Sequence, residues 1–414
     1  MAIFGNPFRR PRPVLEAKAS AARGGAPARL ETWLFAGMGA QWSGRSYASL
    51  VRRGMAENPV VQRCVRIVSQ SIAAVPWRLE QEGRALIQHP LLDLLRRPNP
   101  LLGGAEFIEA LIGYLLLAGD AFIERVDDSE GAPAELHVLR PDRMHILAGA
   151  SGWPEAYEYR AGGAKHRFPV DPISGASSIL HIREFDPLDD HLGLSALDAA
   201  ARGLDLHGAV DGWNKALLDN AARPSGALVF EPRDGAPALS EEQFLRLKKE
   251  MEENFQGSGN AGRPLLLEGG LKWQQMAFSP SDMDYHATKN AAARDIALAF
   301  GVPPMLLGIP GDNTYANYQE ANRALWRLSL LPLLGKLAGA LDRWLAPAFG
   351  GGLKLDFDRN AIPALLPERE ALWRMVAAAS FLTDAEKRVV LGLPLLPARM
   401  RDGEDVPEGD EAGA

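Results

Sequence analysis

Several groups of residues have the side chains and spacing to bind a ligand or run a reaction. Gly257-Ser258-Gly259-Asn260-Ala261-Gly262 matches the Gly-x-Gly-x-x-Gly pattern, in which bare backbone amides hold a dinucleotide pyrophosphate. That pattern works when it follows a strand and opens a helix. Here it follows the charged helical stretch Ser240 to Phe255, so a flexible loop is the better reading. Asp186, Asp189, Asp190 and His191 gather oxygen and imidazole donors of the kind a cation uses, but Pro187 and the absence of helical spacing favour a solvated loop. Asp356 and Asp358 fall on one face of a strand pattern, which a solvent-facing strand explains as well. His137, His145 and His181 lie inside strand patterns and read as hydrogen-bonded structural histidines. No Gly-x-x-x-x-Gly-Lys-Ser/Thr loop is present, which argues against a self-contained motor ATPase, and no serine has the setting of a nucleophile elbow. The expectation is no metal, no cofactor and no demand for an enzyme.

The elements around these residues set the class. With 47% hydrophobic and 23% charged residues over 414 positions, the chain suits two or three folded domains. Its one cysteine, Cys64, excludes an intrachain disulfide and a cysteine-rich zinc site, and reads as a buried small hydrophobe. The net charge of −7 makes it a poor tight binder of duplex DNA, yet compatible with a surface that DNA slides past. Met1 to Arg12 has no apolar core of signal-peptide length, and neither Leu111–Ala118 nor Leu328–Phe349 reads as a bilayer span; a soluble chain without a membrane partner is expected.

The first helix is predicted from Asn58-Pro59, a capping residue followed by a proline at the first helical position, with Val61, Val65, Val68 and Ile72 on its core face. Pro76 ends it before the strand Trp77–Glu80, and Pro98-Asn99-Pro100 makes a hard turn before a helix from Ala105 to Leu117. Ala121–Val126, Glu135–Leu147 (strand, turn, strand), Tyr157–Arg160 and Ile179–Ile182 read as one small sheet backed by helices, giving an α+β class. Ser195 with Asp198 resembles a capping box opening a long helix whose stripe is Leu206, Val210, Trp213 and Leu217. Ala227–Glu231, the charged helix Ser240–Phe255 and a hairpin of Arg263–Glu268 with Leu271–Ala277 make a compact insert. A helix follows from Ser281 to Phe300. Another runs from Thr314 to Leu345, with Tyr318, Leu325, Leu328, Leu337, Leu341 and Trp344 as its buried positions and a kink at Pro332. Leu353–Phe357 should return as a strand to the first domain, and a capping box at Thr383 and Glu386 separates two final helices.

Between the helices that end at Gly301 and start at Thr314 lies a loop that is both apolar and broken: Val302, Pro303, Pro304, Met305, Leu306, Leu307, Gly308, Ile309, Pro310, Gly311. Such a loop either tucks into its own core or faces a partner or a channel.

The run Ile296-Ala297, Ala299 to Pro304, Leu306 to Gly308, Asn313, Tyr315, Asn317 and Glu320 resembles the portal (head–tail connector) family of long-tailed bacteriophages. The same family order recurs upstream. It comprises Asn58-Pro59, Cys64-Val65, Pro76-Trp77, His89 to Leu92, Pro98 to Pro100, Glu106-Phe107, Gly119 to Phe122, then Asn220, Ala222, Pro224 and Gly226. The resemblance runs from about Leu50 to Leu393.

It implies a ring of about a dozen subunits at one capsid vertex. Residues 31–194 and 318–362 would form a wing, 195–223 and 281–301 two stem helices, 224–280 a clip, and 363–400 a crown, with a disordered arm at 1–30 and a disordered acidic tail at 401–414. Residues 302–317 would be the tunnel loop lining the channel, with Val302 to Ile309, Asn313 and Tyr315 as its site residues. The clip, through Phe230, Arg233, Phe244, Lys248, Lys249, Arg263 and Trp273, would dock the terminase large subunit and then the head–tail adaptor. Double-stranded DNA would pass without sequence recognition, and the major capsid protein would surround the ring, in an infectious phage, a prophage or a gene transfer agent. Two other readings stay open: a nucleotide- or nucleic-acid-processing enzyme using the Gly257–Gly262 loop, and a head protein that builds shell without a conduit.

Overall fold

A computed structural model describes residues 46–150, 152–219, 226–230, 271–275, 285–309 and 315–393, together with Glu242, Leu245, Arg246 and Lys249. The arm 1–30, the Gly257–Gly262 loop, the strand expected at Arg263–Glu268 and the tail 401–414 lie outside the described residues. Where sequence signals are chemical rather than periodic, the elements start where expected. In α2 (Pro59–Ala73) Asn58 Oδ1 accepts from the amides of Val60 and Val61, and Val61, Cys64, Val65, Val68 and Ile72 are all buried. The expected turn at Asn99 is tied on both sides. The Asn99 side chain, itself buried, donates to the Leu136 carbonyl and accepts from the Leu101 and Leu102 amides, leading into α4 (Gly104–Ala118).

The strands do not form the single sheet expected. β1 (Trp77–Gln81) lies between β2 (Arg84–Leu86) and the returning β11 (Leu353–Phe357). β3 (Asp120–Asp127) lies between β4 (Pro133–Leu139) and β8 (Ile179–Arg183). The third sheet orders β5 (Met144–Ala148), β6 (Pro154–Ala161) and β7 (Ala164–Pro169). All of these pairings are antiparallel. The split has a local cause: Pro141–Arg143 forms a 3-10 turn, and after it β5 pairs with β6 rather than continuing the β3–β4 sheet. A small second core, Phe122, Leu139, Met144, Tyr157 and Ile179, fills the gap between these two sheets.

The junction from the β3–β8 sheet into α5 (Ala196–Asp219) is built at very short range. Gly119 closes α4 at φ 79°, a left-handed conformation, and its carbonyl accepts from the Glu184 amide. A Cβ at Gly119 would lie 2.4 Å from the Gly193 carbonyl oxygen. Next to it the buried Asp120 carboxylate accepts from the Gly193 amide at 3.0 Å and meets His181 Nε2 at 2.7 Å. The His181 ring stacks on Phe122. Ser195, also buried, then caps α5 by accepting from the Asp198 amide, and its hydroxyl donates to Asp198 Oδ2, so the two residues pair as expected but through their side chains.

Two helix faces differ from expectation. On α5 the buried side is Leu197, Ala200, Ala201, Leu204, His207 and Val210, while Leu206 and Trp213 are nearly half exposed; the Leu217 side chain lies outside the described residues. Close approach chooses this face. A Cβ at Gly203 would sit 3.1 Å from the Ala292 carbonyl oxygen, so the neighbouring backbone comes closest at Gly203 and the side around it is buried, while Leu206 and Trp213 face away. The long final helix runs as α7 (Tyr315–Leu325), a π-helical segment Trp326–Leu330, and α8 (Leu331–Leu345). Pro332 has no amide to donate and its ring would crowd a carbonyl one turn back, which the wider π turn relieves. The extra residue rotates the core face, burying Leu325, Trp326, Leu330, Leu334, Leu337, Leu341 and Leu345 and leaving Tyr318 and Leu328 exposed; Trp344 is half-buried. This run, Asn317–Phe349, is long and apolar enough to cross a membrane, but Leu325, Leu330, Leu334, Leu337, Leu341 and Leu345 pack in the main core with α2 and α4.

Candidate functional site

The site begins with α5 and the helix α6 (Tyr285–Ala299), which pack along their length through Gly203, Ala292 and Ile296. Lys289 of α6 reaches Asp211 of α5, and Arg53, in the π turn before α2, pairs with Asp205. Ser281, where the sequence starts this helix, lies outside the described residues. Between these pairs His207 is almost wholly buried, with Nδ1 3.3 Å from the Asn58 side-chain amide and 3.5 Å from Asp211 Oδ2. Burial holds the His207 pKa below the usual histidine value. Lys289 pushes the same way and Asp211 opposes it.

The folded state therefore prefers neutral His207, while the unfolded chain takes up a proton as the pH falls through the ordinary histidine range near 6.5. Stability from this group is present above that range and lost below it. Thermal melting between pH 7.5 and 5.5 should show a falling Tm, and His207→Gln, which keeps an acceptor for Asn58, should flatten that slope. An unchanged slope in the variant would remove His207 as its source; His145, lowered by burial and by Arg160, would then be the next group to replace.

At its far end α6 runs into the apolar loop. Val302 N–H donates to the Ala297 carbonyl at 2.9 Å and Gly301 N–H to Leu298 at 3.0 Å, with Gly301 at φ 63°, a Schellman stop. The Ser329 hydroxyl, on the π segment, donates to the Gly301 carbonyl at 2.7 Å. Pro304–Leu307 then make a 3-10 turn closed at Gly308. The apolar side chains point largely inward: Val302 and Ile309 are buried, and Leu306 and Leu307 pack on the main core. Of the two placements open to this loop, Val302, Leu306 and Leu307 take the one within their own core, which anchors its base. Pro303, Pro304 and Met305 are half-buried and Gly308 exposed. Asn313 lies outside the described residues, and Tyr315 is the first residue of α7.

The strands bounding the insert are β9 (Gly226–Phe230) and β10 (Leu271–Gln275), and they pair with each other, Phe230 opposite Leu271 and Trp273 opposite Leu228. This pairing with β9 was not expected; the hairpin expected between β10 and Arg263–Glu268 involves residues outside those described. Lys249 is helical and exposed; Arg233, Phe244, Lys248 and Arg263 lie outside the described residues.

The ligand-like clusters resolve into scaffolding. Asp186 accepts from the Leu188 amide, and Asp189 from those of His191 and Leu192. Asp358 caps a short turn through the Asn360 amide. His137 meets Glu135, as His181 meets Asp120. Among the described residues no group of three His, Cys, Asp or Glu is placed to hold a metal. Two structural contributors were not foreseen. Ser329 carries no sequence signal linking it to Gly301, whereas the small residues Ala200, Ala201 and Gly203 are a readable sign of close helix packing.

Comparison with known proteins matches this build. The model of the phage portal protein family covers residues 59–392. An uncharacterised protein of Rickettsia bellii is 45% identical over 352 residues, 84% of this chain and 89% of that protein. The portal protein of Enterobacteria phage HK97 is 24% identical over 368 residues, 84% and 82% of the two chains. Among solved structures, a chain in the neck of a native gene transfer agent particle, computed with C12 symmetry, is 54% identical, with TM-score 0.65, over 86% of this chain and 95% of that one. A family match that runs from the first residue of α2 to just past the last described helix admits one conclusion: this chain belongs to the phage portal protein family.

Proposed function

We propose that the chain closes into a ring at one vertex of a phage-like particle and forms the conduit through which double-stranded DNA enters and leaves. The observation that carries the reading is the loop after α6. Its base is held by the Schellman stop, by Ser329 and by two buried apolar residues, and it stands at the end of two tightly packed helices, in a chain similar to one found in a particle neck. In this reading α5 and α6 are the stem, residues 302–317 the tunnel loop, 224–280 the clip, and 363–400 the crown. The paired strands β9 and β10 form the root of the clip, which docks the terminase large subunit and later the head–tail adaptor. The major capsid protein surrounds the ring. The role is structural; the terminase, a separate ATPase, drives the DNA.

The loop's composition suits passage. From Val302 to Asn317 there is no Lys or Arg, so a phosphate backbone sliding by meets no ion-pairing side chain. Purified protein should give ring mass and a central hole by negative-stain microscopy; a chain that stays monomeric even inside assembled particles would count against the reading. In particles, Met305→Lys places one positive charge per subunit around the path. Ring assembly should be unchanged while DNA-filled particles fall by about tenfold, through tighter phosphate contact. Normal packaging by this variant would remove the loop from the channel wall.

A further inference from the structure

A cavity of about 310 Å³ opens where the C-terminal end of α2, the short helix α3 (Pro90–Arg96) and the first turn of α4 meet. Buried Val75, Leu92, Leu95 and Ile108 line it, with half-buried Trp77. Gly104 lets the walls close up, since a Cβ there would lie 2.3 Å from the Leu95 carbonyl oxygen. Arg96 supplies the charge in the lining, and it already pairs with Asp93 at 2.9 Å. Apolar walls of this kind favour a hydrocarbon guest over water or a polar ligand. By size that guest is about two leucine side chains, since an engineered cavity left by truncating one buried leucine is roughly 150 Å³.

The described chain ends one arginine side chain from this lining. The helix α10 (Asp384–Val390) stops in a Schellman turn: Gly392 sits at φ 67°, its amide donates to Val389 and the Leu393 amide to Arg388. The Gly392 carbonyl accepts from Arg78 Nη1 at 2.6 Å, and in β1 Arg78 directly follows Trp77 of the cavity lining. The next residues in the sequence are Pro394-Leu395-Leu396-Pro397, ahead of an acidic run that begins at Asp402. From Gly392 to Leu396 an extended chain reaches up to about 14 Å. A proline after Leu393 and another after Leu396 favour that extended backbone. The other end of the described chain is placed less well. Tyr47, in α1 (Tyr47–Val51), lies in the field of Tyr114, about 15 Å further along α4 than Gly104.

We propose that residues 394–397 fold back past the start of β1 and seat Leu395 and Leu396 in this cavity. The seated pair pins the last helix of the chain to its first three helices, beyond the single hydrogen bond from Arg78. The acidic run from Asp402 then leaves the body at a fixed point near α3. The contact lies within one chain, so it stands or falls apart from the portal reading.

The test uses the full chain with Ala105→Cys, at an exposed position of the cavity wall, together with Leu396→Cys and a short bis-maleimide. The native Cys64 is silent in this experiment, since it is fully buried and burial raises its thiol pKa to about 12. Intramolecular cross-linking at high dilution, read by mass spectrometry, should run roughly tenfold faster than with Ala105→Cys and Gly413→Cys, because a docked segment raises the local thiol concentration. In a second measurement, Leu395→Ser with Leu396→Ser should speed amide hydrogen exchange over residues 73–77 by about tenfold, as the end of α2 loses its cover. Cross-linking no faster than the Gly413→Cys control would overturn the docking, and so would unchanged exchange over 73–77 in the double-serine variant. If protection there persists in that variant and disappears when residues 2–45 are deleted, the amino-terminal arm is the occupant instead.

Discussion

Gly119→Ala should lower stability by roughly 3 kcal/mol, from left-handed strain of about 1–2 kcal/mol plus displacement of a packed backbone. Both terms are visible. Gly119 sits at φ 79°, and an added Cβ would lie 2.4 Å from the Gly193 oxygen and 2.5 Å from its carbonyl carbon. Those atoms are backbone, so no side chain can swing aside. They also belong to the linker that leads into α5, so the loss should spread from the β3–β8 sheet into that helix. Calorimetry of the purified variant checks it. A Tm within about a degree of wild type would mean that the α4 end and the linker are not in contact in solution, since a 1 kcal/mol loss alone shifts Tm by about 2–4 °C in a domain of 150–250 residues.

Asp120→Ala should cost about as much, roughly 3 kcal/mol, by another route: removing one partner of a buried pair leaves the others desolvated and unpaired. The carboxylate, itself buried, serves two part-buried donors, the Gly193 amide and His181 Nε2. Asp120→Asn should cost less, since its amide oxygen still accepts from Gly193. A double-mutant cycle with His181→Ala isolates the pair. Coupling of about 0.5–3 kcal/mol is expected for residues sharing a buried hydrogen bond, and strictly additive losses would show that the two act separately.

The sequence was legible where one residue type has one physical use. Asn58, Ser195 and Thr383 cap helices as their chemistry requires, and each makes the expected hydrogen bond to a backbone amide. Gly301 and the prolines after it end α6 where only a left-handed residue serves. Periodicity failed where packing distance overrode hydrophobicity. Leu206 and Trp213 make a convincing stripe, yet the buried side of α5 is centred on Gly203, where the neighbouring backbone comes closest. It failed again across Trp326–Leu330, since a stripe counted at 3.6 residues per turn loses phase at a π turn. The separation into three sheets was not legible, because strand patterns say which face is buried and not which strand is the partner. The resemblance named the loop after Gly301, but only coordinates show its apolar residues committed to the core.

The pairing of β9 with β10 has a consequence for how such a chain can change over time. Gly226 opposes Gln275 and Phe230 opposes Leu271, so residues 231 and 270 follow and precede strands clasped by main-chain hydrogen bonds that do not depend on side-chain identity. The stretch between them begins and ends side by side, whatever its length. Insertions, deletions or substitutions within it leave that register untouched, so this is where the sequence can drift at least cost to the strands that bracket it.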